Sequence, residues 1–165
     1  MTIRDVVWRQ FGGAIDMLEN AMRACPEELW SDRERNPQVW AMVFHVVFFL
    51  DYYLADDYES FTSPFGLTEL DPAGVLPDRV LTKEEMQAYL EHGRARLRAL
   101  LQREEAELER PRKFGSVEGT VLEGLLYSLR HVQHHTAMLN LILRQEIDDA
   151  PRWVGKTNHV LGRTS

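Results

Sequence analysis

Apolar residues return every three to four positions in four long stretches of this 165-residue chain, and nowhere does a sustained period-2 alternation appear. The period sets the class: the chain reads as all-α. The first stretch carries Val7, Phe11, Ala14, Ile15, Leu18, Ala21, Met22 and Cys25 on one stripe, with Thr2 and Asp5 spaced as a capping box and Pro26 marking its end. The second has Asn36 available as N-cap and Pro37 at the first helical position, where a missing N–H costs nothing, and is expected to run to about Tyr58. The third begins with the capping pair Thr82 and Glu85 and continues through Met86, Leu90, Gly93, Leu97, Leu100 and Leu101. The fourth starts at Ser116 or at Thr120, three residues before Glu123; its stripe is Val121, Leu125, Leu129, Val132, Leu139 and Ile142, and it ends near Gln145.

Between the second and third helices lies a stretch punctuated by Pro64, Gly66, Pro72, Gly74 and Pro77, which rules out a continuous helix there. At about 3.3 Å per residue such a connection can run the ~30 Å length of a helical domain, letting the two helices it joins lie parallel. It could equally cover a site as a lid, and the residues do not choose between these roles. The length and a hydrophobic content of 44% suit one domain spanning residues 1–165, with the tail 146–165, including Trp153, Val154 and Leu161, packed on the helices.

Composition excludes several function classes. Cys25 is the only cysteine, so a disulfide framework, a cysteine-based zinc site and a redox pair are all ruled out. Its place at the end of an apolar stripe makes core packing its expected role. A formal charge of -7 argues against nucleic acid as a partner. The start of the chain lacks a signal-peptide core and no apolar run is long enough to span a membrane, so a cytoplasmic protein without a membrane partner is expected. The arginines at 94, 96, 98 and 103 alternate with Glu91, Glu104, Glu105 and Glu107 and read as an ordinary solvated helix face.

Histidines carry the chemistry. In His131-Val-Gln-His-His135 two imidazoles lie four residues apart, on one inward edge of the fourth helix and about 5 to 6 Å from each other at Cβ, close enough to share a divalent ion. A third ligand must come from elsewhere. His45 is the candidate, because it sits in Trp40-Ala-Met-Val-Phe-His-Val-Val-Phe-Phe-Leu50, a run too apolar for a solvent-facing helix. One buried histidine would more simply satisfy a polar group in the core; three on inward faces favour metal. Tyr52 shares the face of His45, and Gly124 and Ser128 flank the histidine pair. A helical glycine costs about 1 kcal/mol relative to alanine, so Gly124 implies close packing or room for a bound species. His134 takes a supporting or surface position, while His92 and His159 face solvent.

Three neutral imidazoles suit zinc or nickel, with iron or manganese also open, and water would complete the set. Such a site could generate a hydroxide nucleophile or activate a thiol. Its metal affinity is expected to fall as pH drops through about 6.5. Phosphate loops, nucleophile elbows and His-Glu-x-x-His pairs are absent, and a glutamate three residues before either His45 or His131 is lacking, which disfavours a di-iron carboxylate site.

Phe44-His-Val-Val-Phe-Phe-Leu-Asp-Tyr-Tyr-Leu54 and Leu129-Arg-His-Val-Gln-His-His-Thr-Ala137 resemble the second and fourth helices of the DinB-like superfamily. The resemblance implies a four-helix bundle with a long crossover between helices two and three, metal ligation by His45, His131 and His135, and frequently a homodimer. Members are described as metal-dependent hydrolases, or as transferases using low-molecular-weight thiols such as bacillithiol or mycothiol. The leading expectation is therefore a metal-dependent hydrolase or thiol transferase acting on a small molecule. The alternative is a non-catalytic metal-binding protein, stress-associated or engaged in interactions, in which the metal is structural.

Overall fold

The computed structural model describes residues 1–70, 78–114 and 117–162. Most of these are helical. Helix α1 spans Ile3–Ala24, and its first turn is closed as its sequence predicts: the Thr2 hydroxyl accepts from the Asp5 N–H while the Asp5 carboxylate accepts from the Thr2 N–H. Beyond Cys25 and Pro26 a single-turn helix, α2 (Glu27–Ser31), buries Trp30, whose indole N–H donates to the Leu81 carbonyl at 2.9 Å. Helix α3 (Val39–Leu54) is buried over most of its circumference. Helix α4 (Lys83–Leu101) opens on the Thr82–Glu85 capping box, and α5 (Val121–Ile147) on the matching pair Thr120 and Glu123. α5 is ended by Asp148 in the left-handed conformation, φ 55°.

α1 packs against α4 and α5, and α3 packs against the same two helices from the other side. The shared core is built by Phe11, Ile15 and Met22 from α1, Phe44, Val47 and Leu50 from α3, Leu90 and Leu97 from α4, and Val132 and Leu139 from α5. On α4, Gly93 lets α3 approach: a Cβ there would stand 2.9 Å from Leu50 Cδ2. The tail runs along α1, where the Thr157 N–H donates to the Arg9 carbonyl at 3.0 Å and the Trp8 indole donates to the His159 carbonyl at 2.7 Å.

Besides the added single-turn helix α2, three features differ from the sequence reading. α3 starts at Val39, with Gln38 as its N-cap, rather than at Pro37, and it stops at Leu54, four residues short of Tyr58. Before it, Asp32 accepts from the backbone N–H groups of Glu34 and Arg35, Gln38 is engaged with the Arg33 carbonyl and the Trp40 indole, and the Asn36–Pro37 peptide is cis. After it, the Asp57 carboxylate takes the Glu59 N–H and the Ser60 hydroxyl, a local turn that competes with helix continuation.

The second difference is a small antiparallel hairpin, β1 (Pro111–Phe114) with β2 (Val117–Thr120), in register Pro111 to Thr120 and Phe114 to Val117. Four-residue strands are too short to print a period, so the otherwise all-α fold carries a two-stranded addition. The hairpin leads directly into α5. Of the two starts expected for that helix the structure selects Thr120; Ser116 lies outside the described residues, as do Pro72, Gly74 and Pro77.

The third is the arginine face of α4. Arg94 is 1% exposed, and its guanidinium reaches Asp16 and Glu19 on α1 as well as Glu91, while Arg96 donates to buried Asp51 at 2.7 Å. Periodicity assigns both to solvent; instead their ion pairs lie between helices.

Candidate metal centre

His45 projects from the middle of α3, and His131 and His135 from adjacent turns of α5, which packs directly on it. The three rings converge. His45 Nε2 lies 3.2 Å from His131 Nε2, and ring centroids are 5.1 Å apart for His45–His131, 4.9 Å for His45–His135 and 4.6 Å for His131–His135. One nitrogen from each ring falls within 4.8 Å of the other two. Two nitrogens each about 2.1 Å from a common ion stand roughly 3.0 to 3.4 Å apart at tetrahedral or octahedral angles, so the His45–His131 spacing matches shared coordination. The triad could hold a divalent metal.

The donor chemistry agrees with that fit. All three rings are half-buried, and neither His131 Nδ1 nor His135 Nδ1 finds a hydrogen-bond partner among the described residues. Burial, and then the neighbouring imidazoles, push both His131 and His135 down to about 4, so both rings are neutral across the physiological range. Neutral imidazole is the form that ligates, and the competition with protons expected near 6.5 therefore moves to lower pH for these two.

His45 has a partner that periodicity could not reveal. Its Nδ1 faces Glu69 Oε2 at 3.3 Å. Glu69 comes from the connection after α3, 24 residues along the chain, in a stretch with no regular period.

Around the rings stands an aromatic wall. Phe49 lies edge-on to His45 (4.8 Å) and His131 (5.6 Å), and Tyr53 is edge-on to both His131 (6.3 Å) and Tyr127 (5.3 Å). Burial, followed by a hydrogen bond with Tyr127, raises the Tyr53 phenol above its ordinary value, so it stays protonated. Beyond His131 an open groove of about 560 Å³ is lined by Tyr127, Leu129, Arg130, His134 and Ala137.

The remaining flanking residues fall in different places. Tyr52 is one step removed from the rings, stacked on Tyr58 at 4.6 Å and set edge-on to Phe49 at 6.1 Å. At Gly124 the space a Cβ would need is taken by Phe114 of the hairpin, 3.1 Å away, which makes close packing the reason for this glycine. Ser128 is buried, its hydroxyl without a partner among the described residues, and His134 is exposed, edge-on to His135 at 5.0 Å. His92 is half-exposed, 3.4 Å from Asp51, and His159 lies 3.7 Å from Asp16. Asp16, Glu19 and His159 form a second cluster of potential ligands among the described residues, but both carboxylates are already ion-paired, Asp16 with Arg94 and Glu19 with Arg94 and Arg23.

A family model described as the DinB superfamily matches residues 10–139, a span that contains all three histidines, the whole of α3 and most of α5. The chain belongs to the DinB superfamily. No curated protein and no solved structure matched the chain. Within this DinB chain, none of the helices among the described residues is long and apolar enough to cross a membrane.

Proposed function

We propose that this DinB protein is a metal-dependent enzyme whose divalent ion is held by His45, His131 and His135. The observation that carries the reading is the convergence of the three imidazoles, with two Nε2 atoms 3.2 Å apart. Three protein nitrogens, rather than a closed set of four, correspond to catalytic sites that leave a position for water or substrate, which favours catalysis over a structural metal. A zinc or nickel ion, or iron or manganese, would supply Lewis acidity, either to a hydrolytic water or to the sulfur of a low-molecular-weight thiol. The chain's own contribution is to keep His131 and His135 neutral by burial and to exclude water on the side of Phe49 and Tyr53. The small-molecule substrate would enter along the groove beside His131.

The same reading takes residues 1–165 as one domain, with α1, α3, α4 and α5 forming a four-helix bundle and residues 55–82 the crossover; the packing of α1 and α3 on both α4 and α5 supports it. It places the protein in the cytoplasm, in keeping with a lone buried thiol at Cys25. It also makes the protein a homodimer, supported by the apolar residues Leu126, Met138 and Leu141 exposed along α5.

Elemental analysis of the purified protein beside His131→Ala tests the assignment. A metal-to-chain ratio near one, lost in the variant, is the expected result and would direct a screen of thiol transfer against ester and amide hydrolysis. Equal metal content in both, or none after reconstitution with zinc, nickel, iron and manganese, overturns it.

A further inference from the structure

The connection after α3 is fastened down before it reaches the histidines. Phe61 sits edge-on against Phe48 at 5.4 Å and Tyr52 at 5.3 Å, and Phe65 edge-on against Tyr89 of α4 at 5.5 Å. Between them the buried Ser63 hydroxyl donates to the Leu67 carbonyl at 2.6 Å, and the Gly66 N–H donates to the Ser63 carbonyl at 3.0 Å. Gly66 adopts φ +64°, a conformation that glycine reaches without cost. Two residues beyond this anchored turn, Glu69 presents Oε2 to His45 Nδ1 at 3.3 Å.

The consequence follows from donor counting. A carboxylate accepts and cannot donate, and a neutral imidazole has one N–H. With that N–H on Nδ1 facing Glu69, the lone pair of His45 must be on Nε2, the atom that faces His131. Ligating histidines are commonly oriented in this way by a carboxylate on the opposite ring nitrogen.

We propose that Glu69 is a positioning residue of the metal centre: it holds His45 in the Nδ1–H tautomer and aims Nε2 at the position shared with His131 and His135. This rests on the metal reading above. The connection then has a definite task, to deliver one carboxylate across 24 residues to the only ligand that α3 contributes.

The test compares wild type, Glu69→Gln and Glu69→Ala in the full chain, with zinc as the probe. Zinc affinity is measured by chelator competition, and the His45 ring tautomer by long-range ¹H–¹⁵N spectra of the metal-free protein at pH 7.5. Glu69→Ala should weaken zinc binding by about 10- to 100-fold and move His45 toward the Nε2–H form. Glu69→Gln should lose less, because its amide oxygen can accept the same N–H. The urea midpoint of the metal-free protein should be the same for all three. Zinc affinity of Glu69→Ala within twofold of wild type, an unchanged tautomer, or a matching drop in metal-free stability overturns the proposal while leaving the three-histidine site standing. A wild type that takes up no zinc, nickel, iron or manganese overturns the site itself and this proposal with it.

Discussion

The guanidinium of Arg94 on α4 is closed onto the carboxylate of Asp16 on α1, with Glu19 of the same helix on its other amino group. Because Arg94 is almost fully buried and the two carboxylates only partly so, removing the arginine leaves two like charges facing each other at a helix interface. Breaking a buried pair from one side costs about 3 to 5 kcal/mol, and partial solvation of Asp16 and Glu19 places Arg94→Ala near the lower figure. Urea denaturation should show this loss, and a smaller one for Arg94→Met, which keeps the packing of the stem. Losses below about 1 kcal/mol for Arg94→Ala would mean that the ion pairs do not hold α1 to α4.

Metal retention should divide the histidines sharply. His45→Ala and His135→Ala should each lose stoichiometric metal, as His131→Ala should, because each removes one of three converging nitrogens. His134→Ala and His92→Ala should keep most of it, since His134 is exposed on the outer side of His135 and His92 lies beside Asp51. Equal losses across all five variants, read by metal-to-chain ratio, would sink the assignment.

Acid should weaken the metal-free protein through His131 and His135. In the unfolded chain both titrate near 6.5, whereas in the folded chain burial lowers them to about 4. Between these limits the unfolded state binds more protons, so stability rises with pH and is progressively lost as pH falls from about 6.5 toward 4; above 6.5 the two groups contribute no slope. Urea midpoints at pH 7.5, 6.5, 5.5 and 4.5 should therefore fall less steeply in His135→Gln than in wild type. Identical slopes would contradict the burial of this ring.

Gly12→Ala should release the tail. Alanine ordinarily gains about 1 kcal/mol over glycine inside a helix. Here its Cβ would stand 2.5 Å from Thr157 Cγ2 and 2.8 Å from Thr157 Cβ, and Thr157 is also tied to Arg9 through its backbone. Overpacking of this kind costs about 1 to 3 kcal/mol, more than the propensity gain. Faster tryptic cleavage at Lys156 with a lowered melting temperature is expected; a stabilised variant with an uncut tail would show that the segment yields freely.

If α5 carries the dimer contact, Leu141→Glu should shift the protein toward monomer in sedimentation velocity without changing its metal content, because Leu141 is exposed and lies outside the histidine cluster. A dimer that survives both this substitution and Leu126→Glu places the contact elsewhere.

Local signals in the sequence translated directly into structure. Thr2 with Asp5, Thr82 with Glu85 and Thr120 with Glu123 all form the reciprocal caps that their three-residue spacing specifies, because each cap is complete within one turn. His131 and His135 likewise share a face by helix geometry alone. What escaped were relationships between elements. Arg94 looks like any surface arginine until α1 supplies two carboxylates, and Glu69 like any loop carboxylate until the loop folds back on α3; at Gly124 the expected close packing is present, but its partner, Phe114 of the hairpin, was not legible. The limits of α3 were hidden for the opposite reason: the Asp32 and Asp57 turns are local, yet they compete with a helical pattern strong enough to mask them.

His45 and His131 are separated by 86 residues. Of the three converging ligands, the unfolded chain keeps just the pair on the future α5 near each other, and the third nitrogen arrives when α3 docks. Coordination would thus sense assembly: tight uptake is reserved for chains that have already joined their two halves, and each ion retained would draw the population toward that joined state in proportion to its concentration over its dissociation constant.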